Sequence, residues 1–124
     1  MLPPKRKAPT LSINYADDEI AQDMICTIMK EKNLTPAKAI LSSITQKNCV
    51  TILSTGWAGM AVSLWEHDNP DREWQTLENP VVELKLSKDK ERLVAIIMEK
   101  EKISLPEALQ FFMIFSLEAL GYHI

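Results

Sequence analysis

Residues 24–40, MICTIMKEKNLTPAKAI, return as a pattern at residues 93–109, LVAIIMEKEKISLPEAL, displaced by 69 positions. Without gaps, Met24/Leu93, Ile25/Val94, Ile28/Ile97, Met29/Met98, Leu34/Ile103, Thr35/Ser104, Ala39/Ala108 and Ile40/Leu109 fall into register. Only three of these pairs are identical, so what repeats is a pattern: an amphipathic helix, a charged tight turn and a second, capped helix. A chain of 124 residues suits one domain and buries roughly two-thirds of its extended surface. Carrying one supersecondary unit twice, it is expected to fold as a pseudo-symmetric single domain over residues 11–124. Repeat one covers 11–47, an insertion 48–79 and repeat two 80–124, behind a basic flexible arm at 1–10.

Each copy has a readable element order. Leu11-Ser-Ile-Asn-Tyr15 and Val82-Glu-Leu-Lys-Leu86 alternate apolar and polar residues as half-buried strands do. In the first copy Asp17 or Asp18 is placed to cap a helix whose stripe is Ile20, Met24, Ile25, Ile28 and Met29. Lys30-Glu-Lys-Asn33 closes it, Thr35 caps the next helix with Pro36 at its first position, and that helix is expected to fray near Asn48. In the second copy a helix runs from about Asp89 to Lys102, and Ser104-Leu-Pro-Glu107 forms a capping box. The last helix, Leu105 to about Leu120, is apolar nearly all round and must be buried on more than one side. Its large side chains, Phe111 and Phe115 among them, suggest a partner surface and dimerisation.

The insertion has no counterpart. It holds Trp57, Trp65 and Trp74 and all but one of the glycines. Met60–Glu66 and Arg72–Thr76, joined by a turn at His67-Asp-Asn-Pro-Asp71, read as a β-hairpin-like segment, since Asn-Pro is a strong turn signal. Helix continuing through Gly56 and Gly59 is the alternative. On the hairpin reading Trp65 and Trp74 pack across facing strands; a partner surface including Trp57 is the other use of these residues.

Catalytic chemistry finds little support. His67 and His123 stand alone, and there is no phosphate-cradling glycine loop, nucleophile elbow or His-Glu metalloprotease pattern. Asp68, Asp71 and Glu73 beside His67 lack the spacing and glycine of a calcium loop. Cys26 and Cys49 have no further Cys or His at ligand spacing, so small buried thiols are expected, with no metal and no cofactor. No apolar run approaches the ~20 residues that span a bilayer, and the start lacks a signal-peptide core. The expectation is a cytoplasmic protein without a membrane partner and without enzymatic activity.

The order of strand, helix, turn and helix, with Val82-Glu-Leu-Lys-Leu-Ser87, then Asp89–Lys102, then Ser104-Leu-Pro-Glu-Ala-Leu109, resembles the ribbon-helix-helix superfamily of the Arc and MetJ type. The resemblance implies a mainly α fold with short β-strands. It would be a tandem ribbon-helix-helix pseudo-dimer in one chain, its two strands paired antiparallel. Aligning the strands makes the first copy two residues longer between strand and helix. In that family the ribbon enters the DNA major groove and the start of the second helix grips phosphate. Position by position this implies base contacts from Ser12, Asn14, Glu83 and Lys85, and phosphate contacts from Thr35 and Ser104. Lys5, Arg6 and Lys7 on the arm would join them on the phosphates. An acidic ribbon residue such as Glu83 matches cytosine.

Two function classes follow. The first is a small DNA-binding regulator, a repressor or antitoxin-like protein, that self-associates on adjacent half-sites. The second is a protein–protein module, such as an inhibitor, anti-defence or immunity protein. The net charge of −3, the tryptophan-bearing insertion and the apolar last helix point to the second.

Overall fold

The fold was obtained as a computed structural model, which describes residues 10–68 and 73–122. The arm residues Lys5, Arg6 and Lys7, the turn residues 69–72 and His123 lie outside the described residues. The elements are β1 (Thr10–Asn14), α1 (Glu19–Lys32), α2 (Pro36–Ser43), α3 (Gln46–Thr55), α4 (Ala58–Asp68), β2 (Val81–Lys85), α5 (Lys88–Glu101) and α6 (Leu105–Ala119). Among the described residues the protein is mainly helical, with one two-stranded sheet.

The sheet joins the two ends of the chain. β1 and β2 pair antiparallel in the register Thr10↔Lys85, Ser12↔Glu83 and Asn14↔Val81. Tyr15 extends the pairing by donating its N–H to Pro80 O at 2.9 Å. A two-stranded ribbon is marginal alone and needs an apolar face packed on something. Here the alternation supplies it: Ile13, Val82 and Leu84 are buried and Leu11 packs against the core, while Thr10, Ser12, Asn14, Val81, Glu83 and Lys85 are exposed.

The helix–turn–helix units of the sequence echo have matching turns. Asn33 (φ 53°) and Lys102 (φ 56°), 69 positions apart, both end their helices in the left-handed conformation. The next residues, Leu34 and Ile103, donate to Met29 O and Met98 O at 3.0 and 3.1 Å. Thr35 and Ser104 then cap α2 and α6, accepting from Lys38 N and Glu107 N. The link from strand to helix is two residues longer in the first copy, Tyr15–Asp18 against Leu86–Ser87. Asp18 caps α1.

After the turns the copies diverge. α6 runs unbroken for 15 residues, but α2 stops after eight. The Ser42 and Ser43 hydroxyls both bond back to Ala39 O, a competition with the helix ladder that favours its end. Thr45 then caps the new helix α3, and Asn48 Nδ2 donates to Ser43 O (2.8 Å) and Ser116 Oγ (3.1 Å). α3 packs on α5 and α6. The expected fraying near Asn48 is replaced by a second helix held through this amide.

The hairpin expected at residues 60–76 is not formed. α3 ends at Gly56, whose φ of 70° suits glycine, and α4 occupies 58–68. The helical alternative described this segment better, although it breaks at Gly56 and resumes. Its buried positions Ala58, Ala61, Val62 and Trp65 follow helical spacing. Gly59 faces the Phe111 ring of α6, where a Cβ would make an ordinary contact at 3.4 Å. Trp65 and Trp74 therefore do not face each other across strands.

α6 lies at the centre, packed by α1, α2, α3, α4 and α5. Phe111 through Leu117 are all buried, so the chain itself covers this apolar helix. Dimerisation through Phe111 and Phe115, expected from sequence, is unnecessary on that ground. α1 is equally enclosed, with Ala21–Ile28 buried without a gap, whereas in α5 only Val94 and Ile97 are. The difference is the insertion, which lies over α1. Asp23 Oδ2 accepts from Trp65 Nε1 (2.7 Å) and Asp23 Oδ1 from Gln75 N (3.2 Å). Gln22 bridges Tyr15 O (2.7 Å) and Leu77 N (3.0 Å). Hydrogen bonds to a buried charged group each stabilise by about 1.5–3 kcal/mol.

Asp23→Ala leaves the Trp65 N–H without this acceptor and is expected to cost about 2–4 kcal/mol in urea unfolding. Tyr15→Phe is the contrast. The Tyr15 hydroxyl is buried and meets no hydrogen-bond partner among the described residues. Its removal is expected to be neutral or to stabilise by up to about 1 kcal/mol.

Candidate nucleic-acid interface

One face of the molecule is the outer side of the ribbon. Ser12, Asn14, Glu83 and Lys85, singled out from the sequence, share it with Thr10 and Val81, and all six are exposed. Antiparallel pairing brings Ser12 opposite Glu83, Thr10 opposite Lys85 and Asn14 opposite Val81, with opposed side chains about 5 Å apart. Thr10 and Val81 escaped the sequence reading because each lies one residue before the alternating run as drawn there. Extending the period of two by one residue identifies both.

The face carries one carboxylate and one ammonium, at Glu83 and Lys85. The remaining groups are two hydroxyls, an amide and an apolar side chain, a mixture of donors, acceptors and one greasy contact. Asn14 Oδ1 accepts from Ala16 N at 2.9 Å, an Asx turn that fixes the amide at the strand end. One of its two lone pairs is used there.

The two capped helix starts differ in their surroundings. Thr35, Pro36 and Ala37 at the start of α2 line a cleft of about 500 Å³ with Val81, Val82 and Glu83 of β2. The structure thus brings Thr35 to the edge of the ribbon. The first turn of α2 contains no acidic residue and includes the exposed Lys38. At the start of α6, Ser104 Oγ donates to Glu107 Oε1 at 3.0 Å, so a carboxylate already faces that helix end. Of the expected capping box only the Ser104 half forms, since the Glu107 carboxylate accepts from the Ser104 hydroxyl and not from its amide. Ile103 and Glu107 line a groove with Trp57 and Met60 of the insertion.

The residues expected at a partner surface separate into two groups. Trp65 is 1% exposed, its ring 5.6 Å from that of Tyr122, and Phe111 and Phe115 are buried. These three are core residues, enclosed because α4 and α6 pack face to face. Trp57 and Trp74 are each 40% exposed, and the Trp57 ring lies edge-on to Phe115 at 5.7 Å. An apolar stripe missed by sequence reading continues from Trp57: Val50 and Leu53 on α3, Met60 on α4 and Ile96 on α5 are all exposed. α3 and α5 run side by side, since Cys49 meets Leu93 and the two helix starts share one groove. These residues come from three helices and the break at Gly56, so no single period in the sequence marks them.

Burial also decides what the cysteines can do. Cys26 and Cys49 are free and buried, and desolvation pushes both thiols above their usual range, which disfavours the thiolate that nucleophilic or metal chemistry requires. Lys90 likewise has its ammonium pKa lowered by desolvation; its Nζ donates to Leu41 O and Ile44 O (2.5 and 3.0 Å), holding the end of α2. His67 is exposed in the last turn of α4. Among the described residues no helix is long and apolar enough to cross a membrane.

Comparison with family models, with curated proteins and with solved structures finds no match to this chain.

Proposed function

We propose that this chain is a DNA-binding regulator, of repressor or antitoxin-like type, built as a tandem ribbon-helix-helix unit whose β1–β2 ribbon enters the major groove. The observation that carries the reading is the register of the ribbon. Ser12 and Glu83, 71 positions apart, are equivalent when the strands of the two copies are superposed, and they face each other at the middle of the ladder. A local twofold axis through a ribbon has this consequence, since on the axis each residue meets its own equivalent. The helix packing supports it in part: α1 on α2 matches α5 on α6, whereas α1 on α6 has no comparable α2–α5 counterpart among the described residues, because α3 packs on α5 in that place. A two-stranded ribbon standing on these helices fits the width of a major groove.

On this reading Ser12, Asn14, Glu83 and Lys85 meet base edges, with Thr10 and Val81 beside them. Thr35, Lys38 and the backbone at the start of α2 meet phosphate, helped by Lys5, Arg6 and Lys7 on the arm. Fluorescence anisotropy with a pool of mixed-sequence duplexes at low salt tests it. Binding in the micromolar range or tighter is expected, weakening steeply with salt and lost in the double variant Asn14→Ala/Lys85→Ala. Absence of binding at micromolar protein, or indifference to the double variant, contradicts the reading.

A second reading, a protein-interaction module, has its own support in the stripe Val50, Leu53, Trp57, Met60 and Ile96. Met60 is 64% and Val50 55% exposed, and large exposed apolar side chains such as these favour contact sites when they cluster. Met60→Asp tests it by sedimentation and pull-down. Loss of self-association or of a captured protein, with DNA affinity unchanged, assigns the stripe to protein contacts. An unaltered profile removes that role.

A further inference from the structure

We propose that the ribbon reads a DNA element that is not its own reverse complement, with a G·C pair at the Lys85 end and an A·T pair at the Asn14 end; this rests on the DNA-binding reading above. Two identical chains bring identical side chains to a ribbon, so the sites they read mirror their twofold symmetry. Here both strands belong to one chain, and their outward residues differ at each equivalent position: Thr10 against Val81, Ser12 against Glu83, Asn14 against Lys85.

Antiparallel pairing then sorts the chemistry along the ribbon. One end presents a hydroxyl and an ammonium (Thr10 and Lys85), the middle a hydroxyl and a carboxylate (Ser12 and Glu83), and the other end an amide and an apolar side chain (Asn14 and Val81). At about 3.3 Å per residue the two ends are separated by roughly 13 Å. That length spans about four base-pair steps.

Each position has a base edge that suits it. An ammonium donates to guanine O6 and N7, and a carboxylate accepts from cytosine N4. An amide pairs with adenine N6 and N7, and an exposed apolar side chain covers a thymine methyl. Asn14 keeps a lone pair for this beyond its bond to Ala16 N. The flanks are unequal in the same way. The first turn of α2 has no acid and carries Lys38, with Glu78 and Glu83 lining the cleft beside it, while at the start of α6 the Glu107 carboxylate accepts from Ser104 Oγ. The two helix starts are thus flanked by different groups.

Selection by the full chain from short duplexes with a random window of about eight base pairs, too short for two copies, tests the proposal. The enriched motif is expected to differ from its reverse complement. Lys85→Ala should relax the preference at the G·C end about tenfold and leave the other end intact; Asn14→Ala should do the converse. A palindromic motif, or a variant that alters both ends alike, overturns the asymmetry while leaving DNA binding standing. Retention of no duplex by the unaltered chain overturns the DNA-binding reading and this inference together.

Discussion

The pairing of β1 with β2 is the constraint on which the rest of the structure depends. Two five-residue strands from opposite ends of the chain have little stability by themselves. They persist because Ile13, Val82 and Leu84 dock onto the helices, and a one-residue slip would turn these outward and bury Ser12 and Glu83. The register is therefore strongly specified, and it sets where α1 and α5 begin. Joining residues 67 to 75 positions apart also costs loop-closure entropy, which grows slowly with length. Compensation comes from the helical core around α6, the element packed by the five other helices.

Symmetry in this molecule is local and its departures are specific. The turns at Asn33 and Lys102 repeat one geometry, down to the 6→1 bonds from Leu34 and Ile103 onto Met29 and Met98. Beyond them, a pair of serines ends α2 where α6 continues, and α3 fills the space against α5 and α6. The insertion then returns across α1, fastened by Gln22 and Asp23, and leaves α5 uncovered with Ile96 exposed. One half of the molecule is sealed and the other is open. That inequality leaves exposed apolar side chains on α3, α4 and α5 and places the start of α2 beside β2.

Much of this was legible in the sequence because it is encoded by short-range physics. Strict alternation marked both strands and assigned Ser12, Asn14, Glu83 and Lys85 to the outer face; Thr35 and Ser104 announced their caps. The resemblance of the two helical pairs carried the two-residue difference in strand-to-helix spacing. The insertion was misread for an identifiable reason. The Asn-Pro step was weighted as the centre of a hairpin, whereas residues 60–66, assigned to its first strand, lie within α4. The pattern Ala58, Ala61, Val62, Trp65 was present, but two glycines obscured it. The buried roles of Trp65, Phe111 and Phe115 depend on which helices cover them, and composition carries no record of that.

The central claim is that the outer face of the β1–β2 ribbon is the surface that meets DNA. Amide-resolved NMR titration of the full chain with a mixed-sequence duplex of about 12 base pairs at low salt tests it most directly. The account predicts progressive shifts confined to residues 5–7, 10–14, 81–85 and 35–38, together with cross-strand contacts between Ser12 and Glu83 in the free protein. Shifts centred on α3 and α4 with the ribbon silent, or no shifts at all, would contradict it.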